Sequence, residues 1–180
     1  MSGTKKVKSV DAILEKITKT IESIDDIDER AQILNWLDQF CRYKSYEQKF
    51  KPYRLKKYGP GDLISADFGY NIGSEFRGVH FAVVVEDNHK NSPTVMVIPL
   101  SSYQHKSQVS QYHIDLGIIK SLNEYKGLVN VGTRAVPNQM RPIDKIRIYY
   151  PKKDYQTLGR ISEEGMHLIG SYITKTYGNK

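Results

Sequence analysis

The chain is poor in the features that mark secreted, membrane and metal-dependent proteins. Cys41 is its only cysteine, so no intramolecular disulfide can form, and a reducing compartment is expected. No apolar run approaches the length of a membrane span. The N-terminal stretch MSGTKKVKSVDAILEK has basic residues but no uninterrupted hydrophobic segment of the secretory kind. A soluble, cytoplasmic protein with no membrane association is therefore expected. The five histidines are scattered, and neither they nor Cys41 fall into a metal-ligand spacing. No cofactor or metal is expected. Internal repeats and low-complexity tracts are absent, and 39% hydrophobic residues in 180 are enough for a core of ordinary size, not a disordered composition.

What is present is unevenly distributed. Residues 1–50 hold nine basic and nine acidic side chains, whereas residues 51–180 hold eighteen and eleven and carry the whole net charge of +7. An anionic partner is thus expected for residues 51–180, against the simpler reading of a solvated basic surface. Thirteen tyrosines fit strands and interfaces, where a ring packs and its hydroxyl stays polar. The most informative stretch is Gly61 to Val85, GDLISADFGYNIGSEFRGVHFAVVV. It reads as two half-buried strands flanking a polar, Gly-rich loop, with His80 at the loop's exit. Loops anchored on rigid strands are where binding and chemistry concentrate.

The rest of the chain organises around that stretch. Val7, Val10, Ile13, Leu14, Ile17, Ile21 and Ile24 have helical spacing, and Asp25, Asp26 and Asp28 then break the helix and offer N-caps. A second helix follows to about Gln48, with Cys41 on its apolar side as a small core residue. The pair reads as a helical hairpin over residues 1–50, packed on the body of the chain or on a second subunit. Residues 51–61, KPYRLKKYGPG, read as a basic linker. Period-two alternation then predicts strands at about 62–68, 79–86, 94–101, 111–116, 128–135 and 144–150. Ser162, followed by Glu163 and Glu164, opens a final helix to about Thr176. Many short strands and a terminal helix predict an α+β fold: a small, strongly bent barrel or sheet with a helix packed on it.

These residues resemble MazF/PemK-like toxins, the toxins of type II toxin–antitoxin systems. GDLISADFGYNIGSEFRGVHFAVVV is similar to the family's opening pattern of GD, a strand ending in an acidic residue and an apolar one, a GSE loop and a G-x-R-P-x-V-V strand. SPTVMVIPLSS resembles the family's third strand, which ends in a hydroxyl residue, and Gln139, Arg141, Ile143, Asp144 and Lys145 match its Q-x-R-x-I-D-K signature. The resemblance covers roughly residues 59–176 and leaves residues 1–50 outside. It implies a small SH3-like β-barrel (MazF/CcdB-like) with a C-terminal helix, forming a homodimer. It also implies a metal-independent endoribonuclease that cleaves single-stranded RNA, mRNA in particular, to a 2′,3′-cyclic phosphate and a 5′-hydroxyl, and a cognate antitoxin protein as partner.

The resemblance also places roles on residues. The family's arginine falls on His80 and its proline on Phe81, the sharpest departure from the pattern. Arginine stabilises phosphate charge but does not titrate usefully, whereas histidine can serve as acid or base near neutral pH. His80 is accordingly the candidate general acid or base, and Ser101 falls on the family's catalytic threonine. Arg77 is a candidate replacement for the missing arginine charge, and Glu75 a candidate acid or base. Ser74, Phe76, Ser102, Gln139, Arg141 and Arg134 are candidate RNA contacts, with a structural bond to the 59–78 region the competing reading for Gln139 and Arg141. Lys56, Lys57 and Lys106 are weaker backbone contacts; Tyr70 and Tyr103 are possible stacking rings. The departure at His80 leaves two other readings open: a non-catalytic protein of the same fold that binds a target such as DNA gyrase, and a regulatory RNA- or protein-binding module.

Overall fold

A computed structural model describes residues 9–178, which divide into two compact units, 1–45 and 46–180. In the first, Ser9 caps α1 (Val10–Glu22) through a 3.2 Å bond from the Ala12 N–H. Asp26 accepts from the N–H groups of Asp28 and Glu29 at 2.8 and 3.1 Å, so the expected acidic cap does start α2 (Ile27–Tyr46). Neither helix buries a residue fully, and Ile17, Ile21, Ile24, Ile33 and Leu37 of the apolar stripes are half-buried. Cys41 is exposed and is not the core residue its apolar neighbours implied. Val7 lies outside the described residues. No helix among the described residues is long and apolar enough to cross a membrane.

The second unit is a mixed α/β fold built on a seven-stranded antiparallel sheet. Its strands are β1 (Leu63–Asp67), β2 (Val79–Val84), β3 (Thr94–Tyr103), β4 (Ile114–Asp115), β5 (Gly132–Ala135), β6 (Arg141–Asp144) and β7 (Ile148–Tyr150). A short helix α3 (Lys120–Lys126) precedes β5, and α4 (Glu163–Tyr177) closes the chain. The long strand β3 is the organiser. One of its edges pairs with β2, while the other pairs with β6 through its first half and β5 through its second.

The sheet is open where a barrel was expected. The strand order runs β4-β5-β3-β2-β1-β7, and the two ends do not pair with each other. Both end strands are short, two residues in β4 and three in β7, and offer little ladder with which to close.

Each face of the sheet has its own core. Ile64, Ala66, Phe68, Ala82, Val84, Val95 and Val97 line one face. Leu63, Phe81, Val83, Ile98 and Leu100 line the other, under Ile169 of α4. Because both faces are covered, β1 is buried along its whole length and is not half-buried as its sequence implied. The supposed linker also enters the core. Leu55 and Tyr58 are buried, and the Tyr58 hydroxyl donates to the Pro151 carbonyl at 2.7 Å. Ser162 caps α4 as expected, accepting from the Gly165 N–H at 3.1 Å.

The sequence-predicted strands at 111–116 and 128–135 shrink to β4 and β5, and the gap between them holds α3. Leu122 is buried, and Tyr125 sets its ring edge-on to Phe81 at 5.7 Å and stacks on Tyr150 at 5.5 Å. Gly127 ends the helix in the left-handed conformation at φ 64°. Next to it, the Tyr103 ring lies over Gly132 of β5, so a Cβ at Gly132 would sit 2.3 Å from the ring. Gly132→Ala should therefore displace Tyr103 from its 2.5 Å bond to Asp115 and destabilise the fold by about 1–3 kcal/mol in urea unfolding. Unchanged stability would show that the ring moves aside without cost.

Candidate active site

The register of the sheet assembles the site. Ala82 faces Pro99 at the end of the β2–β3 pairing, and His80 and Ser101 each lie two residues beyond that pair. Ser101 in turn faces Arg134 on β5, and Arg134 faces Asp115 on β4. Side chains directly opposite share a face, so Ser101, Arg134 and Asp115 form one polar row across three strands, with His80 at its β2 end. The next row, Phe81, Leu100, Ala135 and Ile114, points to the other face and into the core. His80 and Ser101 both line an open pocket of about 450 Å³, solvent at its mouth included, together with Ser102, Asn123 and Lys126.

Each member of the row is held differently. The His80 ring packs against Phe76 with centroids 4.4 Å apart, and Phe76 rests edge-on against buried Phe68 at 5.6 Å. Burial pushes the His80 imidazole below its ordinary range. A backbone hydrogen bond involving Arg77 works in the opposite direction, and the charge of Lys126 adds to the lowering. The net effect favours the neutral imidazole over imidazolium. The Arg134 guanidinium is partly buried, and its Nε has no hydrogen-bond partner. Asp115 accepts from the Tyr103 hydroxyl at 2.5 Å and from the Gly117 N–H at 2.9 Å. That bond raises Tyr103 to about 12. His113, two residues before Asp115, is lowered by burial and then by the charge of Arg134.

The other sequence-predicted residues lie around this row. Arg77 does not line the pocket: its guanidinium lies 4.8 Å from the Tyr70 ring and donates to the Tyr70 hydroxyl at 3.0 Å. Ser74 and Glu75 are exposed in the loop. Gln139 pins that loop from behind, accepting from the Phe76 N–H at 3.2 Å and donating to the Ser74 carbonyl at 3.4 Å. Arg141 donates to the Gln139 side chain at 2.9 Å and so orients it. Lys56 pairs with Asp62 at 3.6 Å, Lys57 with Asp87 at 2.9 Å, and Lys106 with Asp115 at 3.7 Å. Among the described residues, no group of three or more His, Cys, Asp or Glu is placed to hold a metal ion.

Sequence reasoning missed Asn123, Lys126, His113 and Asp115. The first two stand on α3, whose signal was the lysine of the last turn followed by Gly127. Seven residues are too few for a clear apolar period. Asp115 joins the row only through strand pairing, and His113 lies outside β4, within reach of the Arg134 charge.

The fold is similar to that of MazF (Form-I) from Deinococcus radiodurans, with a TM-score of 0.50 and 15% identity over 69% of this chain and 99% of that one. Two further solved structures are similar. One is an endoribonuclease in complex with its cognate antitoxin from Mycobacterial species (TM-score 0.46, 15% identity, 68% of this chain and 96% of that one). The other is MazE-MazF (Form-III) from Deinococcus radiodurans (TM-score 0.45, 14% identity, 69% and 100%). A search of curated protein sequences finds no match. Residues 59–176 match the model of the PemK-like, MazF-like toxins of type II toxin–antitoxin systems, and the chain belongs to that family.

Proposed function

We propose that this chain is a metal-independent endoribonuclease toxin that cleaves single-stranded RNA at the His80–Ser101–Arg134 row. The observation that carries this reading is the convergence of His80 and Ser101, the two residues at the family's reactive positions, on the lining of one pocket. A neutral His80 nitrogen takes the proton of the 2′-hydroxyl. The 2′-oxygen then bonds to the adjacent phosphorus while the bond from phosphorus to the 5′-oxygen breaks, and the departing oxygen is protonated from solvent. The products are a 2′,3′-cyclic phosphate and a 5′-hydroxyl. Negative charge accumulates on the phosphoryl oxygens during the step. Arg134, which faces Ser101 on β5 and has a buried, unpaired Nε, and the Ser101 hydroxyl are the groups assigned to stabilise it. Arginine charge is thus supplied from β5, two strands away from the β2 position that His80 occupies.

Arg77 is turned to Tyr70, and Gln139, oriented by Arg141, holds the loop through Phe76 and Ser74. A homodimer and a cognate antitoxin covering the same groove are the partners this reading carries. Residues 1–50 form a separate N-terminal extension in it, and lie outside the matched region.

The test is incubation of the purified protein with a long single-stranded RNA in excess EDTA. Discrete fragments ending in a cyclic phosphate are expected from the wild type and are lost in Ser101→Ala. Intact RNA after incubation with well-folded, antitoxin-free protein overturns the proposal.

A further inference from the structure

The first unit leaves an apolar stripe of α2 uncovered. Ile27, Leu34 and Cys41 recur at seven-residue spacing, so they lie on one side of the helix. Ile27 is 74% and Leu34 53% exposed, and Cys41 is exposed as well. Ala31, four residues after Ile27, adds a small exposed side chain to the same side. Trp36 belongs to the opposite side, where it meets the rings of Phe40 and Tyr43, each with its centroid 6.3 Å away. The stripe is therefore separate from the aromatic side of the helix.

No residue of α1 or α2 is fully buried, although helices in water draw most of their stability from packing an apolar face. A unit of about 40 residues holds together through disulfides, a metal or association with a further chain. Cys41 has no second cysteine in the chain to pair with, and no group of metal ligands is placed among the described residues. Association is the remaining route, and the charges of α2 indicate the partner. Its first turn carries Asp28 and Glu29, just after Asp26, and its last turns carry Arg42 and Lys44. A second α2 running antiparallel sets an acidic end against a basic end twice over, whereas a parallel one sets like against like. The stripe is self-complementary in the same direction. With a twofold axis near Leu34, the two Leu34 side chains meet, and Ile27 of each helix faces Cys41 of the other, because both stand seven residues from the axis.

We propose that α2 is a self-association element: two copies of this chain pair through an antiparallel seam of Ile27, Ala31, Leu34 and Cys41. Asp28 and Glu29 of one copy close each end of the seam against Arg42 and Lys44 of the other. The seam lies outside the family-matched residues 59–176, so it is additional to any contact between the toxin regions. It is also independent of the nuclease reading. Within one helix Arg42 pairs with Asp38 at 2.8 Å, with the two side chains 71% and 63% exposed. So exposed a pair contributes little and is readily exchanged for partners across the seam.

Cross-linking of the full chain tests the seam. Leu34→Cys, in a Cys41→Ser background, puts one thiol beside the twofold axis and within disulfide reach of its counterpart. Mild oxidation should convert it to a covalent dimer about tenfold faster than Gln32→Cys in the same background, because Gln32 is exposed but lies across the helix. Two charge variants of the Leu34→Cys chain then test the ends. One carries Asp28→Lys with Glu29→Lys, the other Arg42→Glu with Lys44→Glu, and each turns attraction into repulsion in its own pair. Each alone should cross-link about tenfold more slowly, and an equal mixture of the two should recover most of the original rate, because both ends then match again. A helix that was merely weakened would not be repaired by mixing. Equal rates for Leu34→Cys and Gln32→Cys, or no recovery in the mixture, overturn the proposal. None of these readouts involves RNA, so a failure of RNA cleavage leaves the seam standing.

Discussion

His80→Ala should lower RNA cleavage by about two to four orders of magnitude, the usual contribution of a positioned acid or base. The effect should fall on kcat more than on RNA binding, because Arg134 and the other groups around the pocket remain. In the wild type, kcat/KM should rise with pH as His80 loses its proton, since only the neutral imidazole can accept one. The midpoint of that limb should lie below the ordinary histidine range, because burial disfavours the charged ring and Lys126 adds to the effect. Lys126→Met removes a positive neighbour, so imidazolium becomes easier to form and the limb should move to higher pH. A wild-type limb at or above the ordinary histidine value, or a His80→Ala enzyme of undiminished kcat, would remove His80 from the role of base. The family position holds an arginine, which cannot titrate in this range, so the pH profile also separates this chain's chemistry from that of the common pattern.

The second large effect is on stability. Phe68 is 1% exposed, sits in the core of one sheet face and supports Phe76, which in turn packs on His80. Phe68→Ala should cost about 3–5 kcal/mol, from lost transfer energy and the cavity left behind. Small domains have only ~5–15 kcal/mol in total, so a large fall in the urea midpoint is expected. Residual folded protein should also show a looser His80, read as an imidazole pKa moving back toward its ordinary value as burial relaxes. A loss under about 1 kcal/mol would mean that Phe76 and Arg141, whose guanidinium carbon lies 5.9 Å from the Phe68 ring, collapse into the space.

Much of the architecture could be read from local pattern. Alternation in VHFAVV and TVMVIPLSSY located β2 and β3, and the Ser162 cap with its two glutamates located α4. The same alternation failed for β1, whose polar Ser65 and Asp67 are buried because α4 and its neighbours cover the second face of the sheet. It failed again for residues 111–135. There, the four-residue β5 is held by pairing with β3 and the two-residue β4 by pairing with β5, not by their own sequence, and a seven-residue helix shows too few turns for a period. Leu55 and Tyr58 sat in a run of lysines, glycines and a proline that read as linker. Their burial depends on the sheet face they meet.

The candidate site divides along the same line. His80 and Ser101 stood out by type and by position in a motif, which are properties of the chain itself. Residue identity also puts a titratable imidazole near the start of β2. Tertiary structure decided which groups surround it. Arg134 reaches the row because β5 pairs with the second half of β3, and Lys126 and Asn123 reach the pocket because Tyr125 anchors α3 on Phe81. Arg77, three residues from His80 in sequence, turns to Tyr70, while Arg134, more than fifty residues away, faces Ser101 across β5 and β3. Sequence proximity constrains only what one strand can present, whereas strand register and helix packing choose what stands next to it.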